Sequence, residues 1–449
     1  MSDSHEQLKE RAAEDKIEFF FAMFVDMHGK PCAKLVPIES IDMLLNDGVG
    51  FAGFAAGPMG QTPSDPDLIA IPDPASYTVA PWQPGLAVLQ CDIHVEGEEW
   101  PFAPRVILKR QVEKLRQRGM VFKTGVEAEY YLVRQSEDGR SIEVADPLDV
   151  APQPCYDAKG LTRMYEHLTS VSKHMNRLGW GNYANDHEDG NGQFEQNWEY
   201  ADALTTADRT VLFRLMVHTM ANQAGMAATF MPKPFTRLTG NGLHVHSSLW
   251  DAASDTTLFL DEADPRGLGI SELAYQFAAG LIQNACGLVA VTAPTVNSYK
   301  RIGVGAPTSG ASWAPAYATY GGNNRSQMLR IPEAGRIENR LVDGSANPYL
   351  AFAAILGAGM DGVDRQLDPG KPNTDNLFDL SLEEVHARGI EVMPHTLAQA
   401  AQNLLDSTVI RDALGADYVD YFVETKMDEY MQYKRFVTAW EIERYVTLY

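Results

Sequence analysis

Seven residues, GVEAEYY at 125–131, constrain this chain more than any other stretch. Read as a strand, they put Glu127 and Glu129 on one face and Val126, Ala128 and Tyr130 on the other, because strand side chains alternate. Two carboxylates then stand side by side among apolar neighbours. Like charges so placed repel, and the arrangement holds only with a cation or water between them.

Composition narrows the setting. The chain has 449 residues, 45% hydrophobic and 22% charged, an ordinary globular balance with enough length for a large core and two domains. A net charge of -23, from 37 Lys and Arg against 60 Asp and Glu, argues against a nucleic-acid partner, since phosphates are met by a basic footprint. An acidic surplus also suits a protein that collects divalent cations. Cys32, Cys91, Cys155 and Cys286 form no C-x-x-C pair, so neither a zinc site nor a disulfide framework is indicated. The first residues, MSDSHEQLKERAAEDKIE, hold no apolar export segment, and a reducing, cytoplasmic location is expected. The apolar run at 274–293 contains Gln276, Gln283 and Asn284, which predicts a buried core helix and no membrane span.

The pattern divides near Pro104, predicting domains at 1–103 and 104–449. IEFFFAMFV and PCAKLVP flank the turn DMHGK as two strands. SIDMLLNDG reads as a helix capped by Ser40 and stopped by Gly48. Six prolines between Thr62 and Pro84 exclude regular structure throughout that passage, and GLAVLQCDIHV restores a strand. A helix from Pro104 to Gly119 opens the larger domain. MVFKTGVEAEYYLV follows as a strand, then helices at about 160–178 and 206–224, and a mostly helical segment after Pro394.

Four further segments set ligand-type groups among apolar residues. HEDGNGQFEQNW carries Glu188 and Glu195 on either side of a Gly-rich turn. GLHVHSSLW puts His244 and His246 on one face, and RIENRL does the same for Arg336, Glu338 and Arg340. NNRSQMLRIP adds Arg325 and Arg330. Any one alone reads as a solvated face or a surface ion-pair ladder. Together, five carboxylates and an imidazole are what two hard divalent cations need, and arginines nearby hold phosphates bidentately. That combination describes phosphoryl transfer by positioning and charge neutralisation. No P-loop or dinucleotide fingerprint is present, and the Gly-rich GVGAPTSGASWAP at 303–315 reads as a loop.

With these segments, and with ATFMPKPF, NSYKRI, NRSQMLRIP, RIENRLVDGSANPYLAFAAIL and VTAWEIERYV in order, the sequence resembles the glutamine synthetase family over nearly its whole length. The resemblance implies an α+β fold: an N-terminal β-grasp domain, then a catalytic domain with a mainly antiparallel sheet. It implies a homo-oligomeric ring, a dodecamer, with active sites between subunits. ATP would phosphorylate the γ-carboxylate of glutamate, and an amine would displace phosphate, with two or more Mg²⁺ or Mn²⁺ ions per site. By motif, Glu129, Glu188 and Glu195 match ligands of the ion near glutamate and amine. Glu127, His244 and Glu338 match those of the ion on the ATP phosphates. Tyr200, His246, Ser248 and Arg336 fall at nucleotide positions. Arg301, Arg340 and Gly240 fall at glutamate positions, and Arg325 and Arg330 at those facing the transferring phosphoryl group.

Three departures bear on function. Where the family reads F-D-G-S-S, with an aspartate that reaches a neighbouring subunit to take ammonium, this chain reads FAGFA with Ala52. No acidic residue lies between Arg301 and Arg325, where the family carries a flap glutamate, and the tyrosine modified in one regulated branch is Phe378. Ammonium's four N-H donors and full charge call for carboxylates, whereas small or apolar groups leave room for an alkyl group. The chain therefore looks most like the branch that joins glutamate to methylamine, with a polyamine-using branch or an ammonium enzyme as alternatives. A ring-forming scaffold without catalysis is the alternative of another class. Tyr156, in PCYD, is similar in place to a tyrosine of the amine site; Glu188, Tyr156 and an ordered water stay open as the group that takes the amine's proton.

Overall fold

The computed structural model describes residues 2–302 and 314–449. Most of the 303–315 loop lies outside the described residues.

The chain begins with a helix, α1 (Ser2–Glu14), where the sequence reads only as polar. Its apolar stripe is just Leu8 and Ala12, one turn apart, and both are buried. A stripe that narrow gives no amphipathic signal. Strand β1 (Phe19–Val25) runs antiparallel to β2 (Pro31–Pro37). Helix α2 (Ile41–Asp47) stops at Gly48, whose φ of +72° suits glycine, while Ser40 sits at the cap position without a side-chain cap bond. Strands β3 (Val49–Phe51), β4 (Leu68–Pro72) and β5 (Leu86–Val95) complete a sheet of order β2-β1-β5-β4-β3, with β1 and β5 parallel. Ile41, Leu44 and Leu45 press α2 into this sheet in the β-grasp manner. Alternation lets the sheet serve two cores. Phe20, Ala22, Phe24 and Leu89 face α2, whereas Met23, Val25 and Val88 join the larger core beyond.

Helix α3 (Pro104–Arg116) leads through Gly119 into β6 (Met120–Gln135), the long central strand of the second sheet. The predicted helix at 160–178 is two helices, α4 (Ala158–Arg163) and α5 (Tyr165–Arg177), because Met164 leaves helical geometry at ψ 13°. Strands β7 (Ala184–His187) and β8 (Gln193–Asn197) follow. Helix α6 (Ala203–Gln223) is capped by the Asp202 side chain and starts three residues before the predicted position. After β9 (Leu243–Asp251), the run read as one buried helix is α7 (Glu272–Gln283) and α8 (Ala285–Thr292), bent by 79°. Asn284 makes the corner, its side-chain amide donating to the Gly280 carbonyl. Both pieces are largely buried, and among the described residues no single helix is long and apolar enough to cross a membrane.

Strands β10 (Tyr320–Gly321), β11 (Leu329–Arg330) and β12 (Ile337–Asn339) close a mostly antiparallel sheet of order β7-β8-β6-β9-β12-β11-β10. Helix α9 (Pro348–Asp364) crosses α7 so closely that a β-carbon on Gly280 would fall 2.1 Å from the Ala358 carbonyl oxygen. The predicted helical end is α10 (Leu397–Asp406), α11 (Thr408–Leu414), α12 (Ala416–Arg435) and α13 (Ala439–Tyr445). One face of β6, with Val126, Ala128 and Tyr130, packs with Phe213 and Val217 of α6 in the core. The other face is left for chemistry.

Candidate active site

Strand register assembles the site. Glu195 stands opposite both Asp186 and Glu129, Glu127 opposite both Asn197 and His244, and His246 opposite Glu338. Facing residues on paired strands lie about 5 Å apart, so five strands present one patch of acceptors. The patch floors a cavity of about 560 Å³ lined by Glu127, Glu129, Glu188, Glu195, His244, Gly240, Tyr156, Arg301, Arg325, Arg330, Arg336 and Arg340. Every glutamate in that list was singled out in the sequence.

The charges are unevenly settled. Against the upward push of burial, hydrogen bonds from His244 Nδ1 (3.1 Å) and His246 Nε2 (2.9 Å) hold Glu127 well below the usual carboxylate range. Glu338, fully buried, is kept low against the same push by Arg340 and His244, and it also accepts from Arg330 at 2.7 Å. Glu129 accepts from the Gly242 N–H at 2.7 Å and from Gln193 at 3.1 Å. Glu188 accepts from the Asp189 N–H at 3.3 Å and Glu195 from Asn197 Nδ2 at 2.8 Å, and neither bond offsets the push of burial and like charge. Burial and the neighbouring Glu129 push Glu188 up to about 8, and burial with Glu127, Glu188 and Glu129 pushes Glu195 well above its ordinary value.

Carboxylates driven that far are short of positive charge, which is what a divalent cation supplies. Glu127, His246 and Glu338, and likewise Glu127, Glu195 and His244, bring donor atoms within 4.8 Å of one another. His246 Nδ1 is buried without a hydrogen-bond partner. An oxygen-rich set with an imidazole fits Mg²⁺ or Mn²⁺. His246, read from the sequence as a nucleotide residue, thus also belongs to a candidate cation set.

The arginines come from three elements. Arg301, 5% exposed in the short helix Ser298–Arg301, donates to the Leu341 and Arg340 carbonyls, each at 3.2 Å, and burial lowers its pKa. A β-carbon on Gly240 would lie 2.9 Å from Arg301 Cγ and 2.4 Å from the Pro232 carbonyl oxygen, so only glycine fits beside it. Arg330 and Arg340 bracket Glu338 from β11 and from the residue after β12. Arg325 is exposed at the rim.

A second cleft, about 370 Å³, adjoins the first through Glu127 and Arg336 and holds Tyr200, His246 and Ser248. It also holds two residues that the sequence reading missed, Lys123 and Trp250. Lys123 Nζ sits 3.7 Å from the Trp250 ring centre, and Tyr200 lies 5.9 Å from the same indole. Such rings offer a stacking surface for a flat, uncharged group. No local motif marks them.

Two predicted site residues line neither cleft of their own chain: Glu338 is fully buried behind the wall, within reach of Glu127 and His246, and Ala52 is exposed on the N-terminal domain. Three missed residues line or shape the acidic cavity: Asp186, Cys155 and Gln193. Asp186 had a readable signal. Residues 186–188 read D-H-E and repeat the every-second-residue carboxylate spacing of Glu127 and Glu129. Burial, then Glu127, raise its pKa. Gln193 donates at 3.0 Å to the Gly240 carbonyl and at 2.9 Å to Asn241, besides holding Glu129.

An acidic, arginine-walled cavity joined to an aromatic cleft suits phosphoryl transfer from a nucleotide, and likeness to known proteins makes the class an ATP-dependent amide ligase. The model of the glutamine synthetase catalytic domain matches residues 101–445. The chain is 46% identical to glutamate–methylamine ligase of Methyloversatilis universalis, covering 97% of this chain and 98% of that one. It is 41% identical to glutamine synthetase of Rhizobium leguminosarum bv. phaseoli, over 96% and 97%. Among solved structures it is similar to a GmaS–ADP complex, with TM-score 0.91, 46% identity, and 98% and 99% coverage. It is also similar to ligand-free GmaS, with TM-score 0.90, 44% identity and the same coverage. The chain belongs to the glutamine synthetase family.

Proposed function

We propose that the enzyme joins L-glutamate to methylamine, forming γ-glutamylmethylamide through γ-glutamyl phosphate at the expense of ATP. The observation that carries this reading is the 46% identity, over nearly the full length of both chains, to a ligase of that name. Ala52 in FAGFA supports it, since an ammonium site calls for a carboxylate there. A carboxylate oxygen is a poor leaving group and phosphate a good one, which is why activation precedes amide formation.

In this reading Glu127, His244 and Glu338 would hold one Mg²⁺ or Mn²⁺, and Glu129, Glu188 and Glu195 a second; bound cations would neutralise phosphate charge. Tyr200, Ser248, His246 and Arg336 hold nucleotide, with Trp250 and Lys123 beside the base. Arg301, Arg340 and the Gly240 backbone hold glutamate. Arg325 and Arg330 neutralise charge on the moving phosphoryl group. Asp186, on the cavity wall beside Glu195, supplies a carboxylate of the kind missing at position 52, and it accepts the amine's proton. Ala52 lies in neither cleft of its own chain and would meet such a cavity from a neighbouring subunit; in this reading the enzyme is a cytoplasmic ring, a dodecamer, with shared sites. The chain divides at 103/104 into a domain that caps the neighbour's site and one that carries the chemistry.

Phosphate release measured with ATP, glutamate and a panel of amines tests the proposal. Methylamine is expected to give the highest kcat/KM; ammonium ahead of methylamine at equal concentration would sink the assignment.

A further inference from the structure

Strand β7 ends in a histidine for which the reaction has no direct use. His187 is fully buried. Its Nε2 lies 2.8 Å from Asp149 Oδ2, and its Nδ1 lies 2.8 Å from the Glu188 carbonyl oxygen. A carbonyl only accepts and Asp149 is a carboxylate, so the ring donates from both nitrogens. Asp149, also buried, receives the Gly192 N–H at 2.6 Å and Asn191 Nδ2 at 3.2 Å. Asn191 donates onward to the Ala151 carbonyl at 3.0 Å. The His187 carbonyl receives the Tyr156 N–H at 2.9 Å. Room for the ring comes from Gly160 in α4, where a β-carbon would fall 2.2 Å from His187 Cδ2.

These bonds tie the loop at 149–156, which brings Cys155 and Tyr156 to the cavity wall, to the turn at 188–192, which carries Glu188. Tyr156 has a φ of +62° and is 68% exposed. A non-glycine residue keeps that backbone only where its surroundings over-determine it, and the bond to His187 is one such constraint. We infer that His187 and Asp149 are positioning residues that set the gap between Glu188 and the Tyr156 wall, and so the fit of the amine. Neither touches the reacting atoms. The inference rests on the reading that the acidic cavity receives an amine.

The test compares His187→Gln, Asp149→Asn and the double variant by KM for ATP, for glutamate and for whichever amine the wild-type enzyme prefers. The amine KM is expected to rise about 10-fold or more while the ATP KM shifts by less than about 2-fold, the scale on which outer-shell partners act. The double variant should be little worse than either single one, because the pair acts as a unit. Asn191→Ala, which loosens Asp149 but keeps the ring, should show a smaller change of the same kind. Equal rises in every KM, a loss confined to kcat, or additive effects would overturn the inference. Where His187→Gln does not fold, an unchanged amine KM in both Asp149→Asn and Asn191→Ala overturns it. A wild-type preference for ammonium would remove the methylamine reading and leave this test intact.

Discussion

At the scale of the residue, the site is a set of carboxylates at different stages of neutralisation. Glu127 is satisfied by two imidazoles and Glu338 by two arginines, while Glu188 is driven to about 8. Without cations, the folded chain holds a proton on Glu188 that the unfolded chain has released above its ordinary 4.5. The contribution of Glu188 to the stability of the metal-free protein therefore falls as pH rises through about 4.5 to 8, and Glu195 acts in the same direction. Metal binding needs the deprotonated form and tightens over the same range. Unfolding midpoints taken with chelator and with Mg²⁺ should diverge as pH rises; a gap that stays constant or narrows toward pH 8 contradicts this. Substitution should also separate roles. Glu127→Ala is expected to raise the ATP KM about 10-fold or more, and Glu129→Ala to abolish amide formation with nucleotide affinity largely kept. Isothermal titration with ADP together with turnover assays distinguishes them, and indistinguishable defects would count against separate roles. Asp186→Asn should lower kcat/KM for the amine by about 100-fold, the lower end of what a general base contributes; an unchanged value moves the proton to another group.

At the scale of the element, even spacing within strands made the site legible. Glu127 with Glu129 and His244 with His246 each share a strand face, register sets Glu338 beside them, and Arg336 and Arg340 flank the short strand that carries Glu338 instead of lying on it. Helix boundaries were less legible, since Met164 and Asn284 break segments whose apolar periodicity continues across them. The first sheet is tied to helices α3 and α6 by a buried cation. Arg105 of α3, its side chain 4% exposed, reaches Asp92 of β5 at 2.7 Å, Asp73 at 2.8 Å and Asp208 of α6 at 3.0 Å. Arg105→Met removes the shared cation and leaves Asp92 to Lys109, Asp208 to the Tyr349 hydroxyl and Asp73 to the Ala75 N–H; it should cost about 3–5 kcal/mol. Urea unfolding measures it, and a loss below about 1 kcal/mol would class the network with exposed ion pairs.

At the scale of the whole molecule, two surfaces point to assembly. Ala52 and the half-exposed Phe54 lie away from their own chain's clefts. The end of the chain is apolar and unburied: Phe436 is 70% exposed, Val437 63% and Trp440 59%. Groups of that size left open mark contact surfaces. Deleting residues 436–449 should yield a smaller assembly by sedimentation velocity while the chain's fold, read by circular dichroism, is kept. An unchanged sedimentation coefficient per subunit count would place the contacts elsewhere.

GVEAEYY by itself determined that two carboxylates share a face, because period-two alternation is local and needs no partner. The other ligand-bearing segments were legible along the chain in the same way, and their order marked the family. Only the tertiary structure decided which carboxylates are neighbours, since register brings Glu195 against Glu129 and Asp186 across 66 and 9 positions of chain. It also decided that Trp250 and Lys123 meet at the second cleft and that His187 and Asp149 lock the loop behind the first. Charge repulsion, stacking and buried hydrogen bonds depend on distance in space, and the sequence records distance only along the chain.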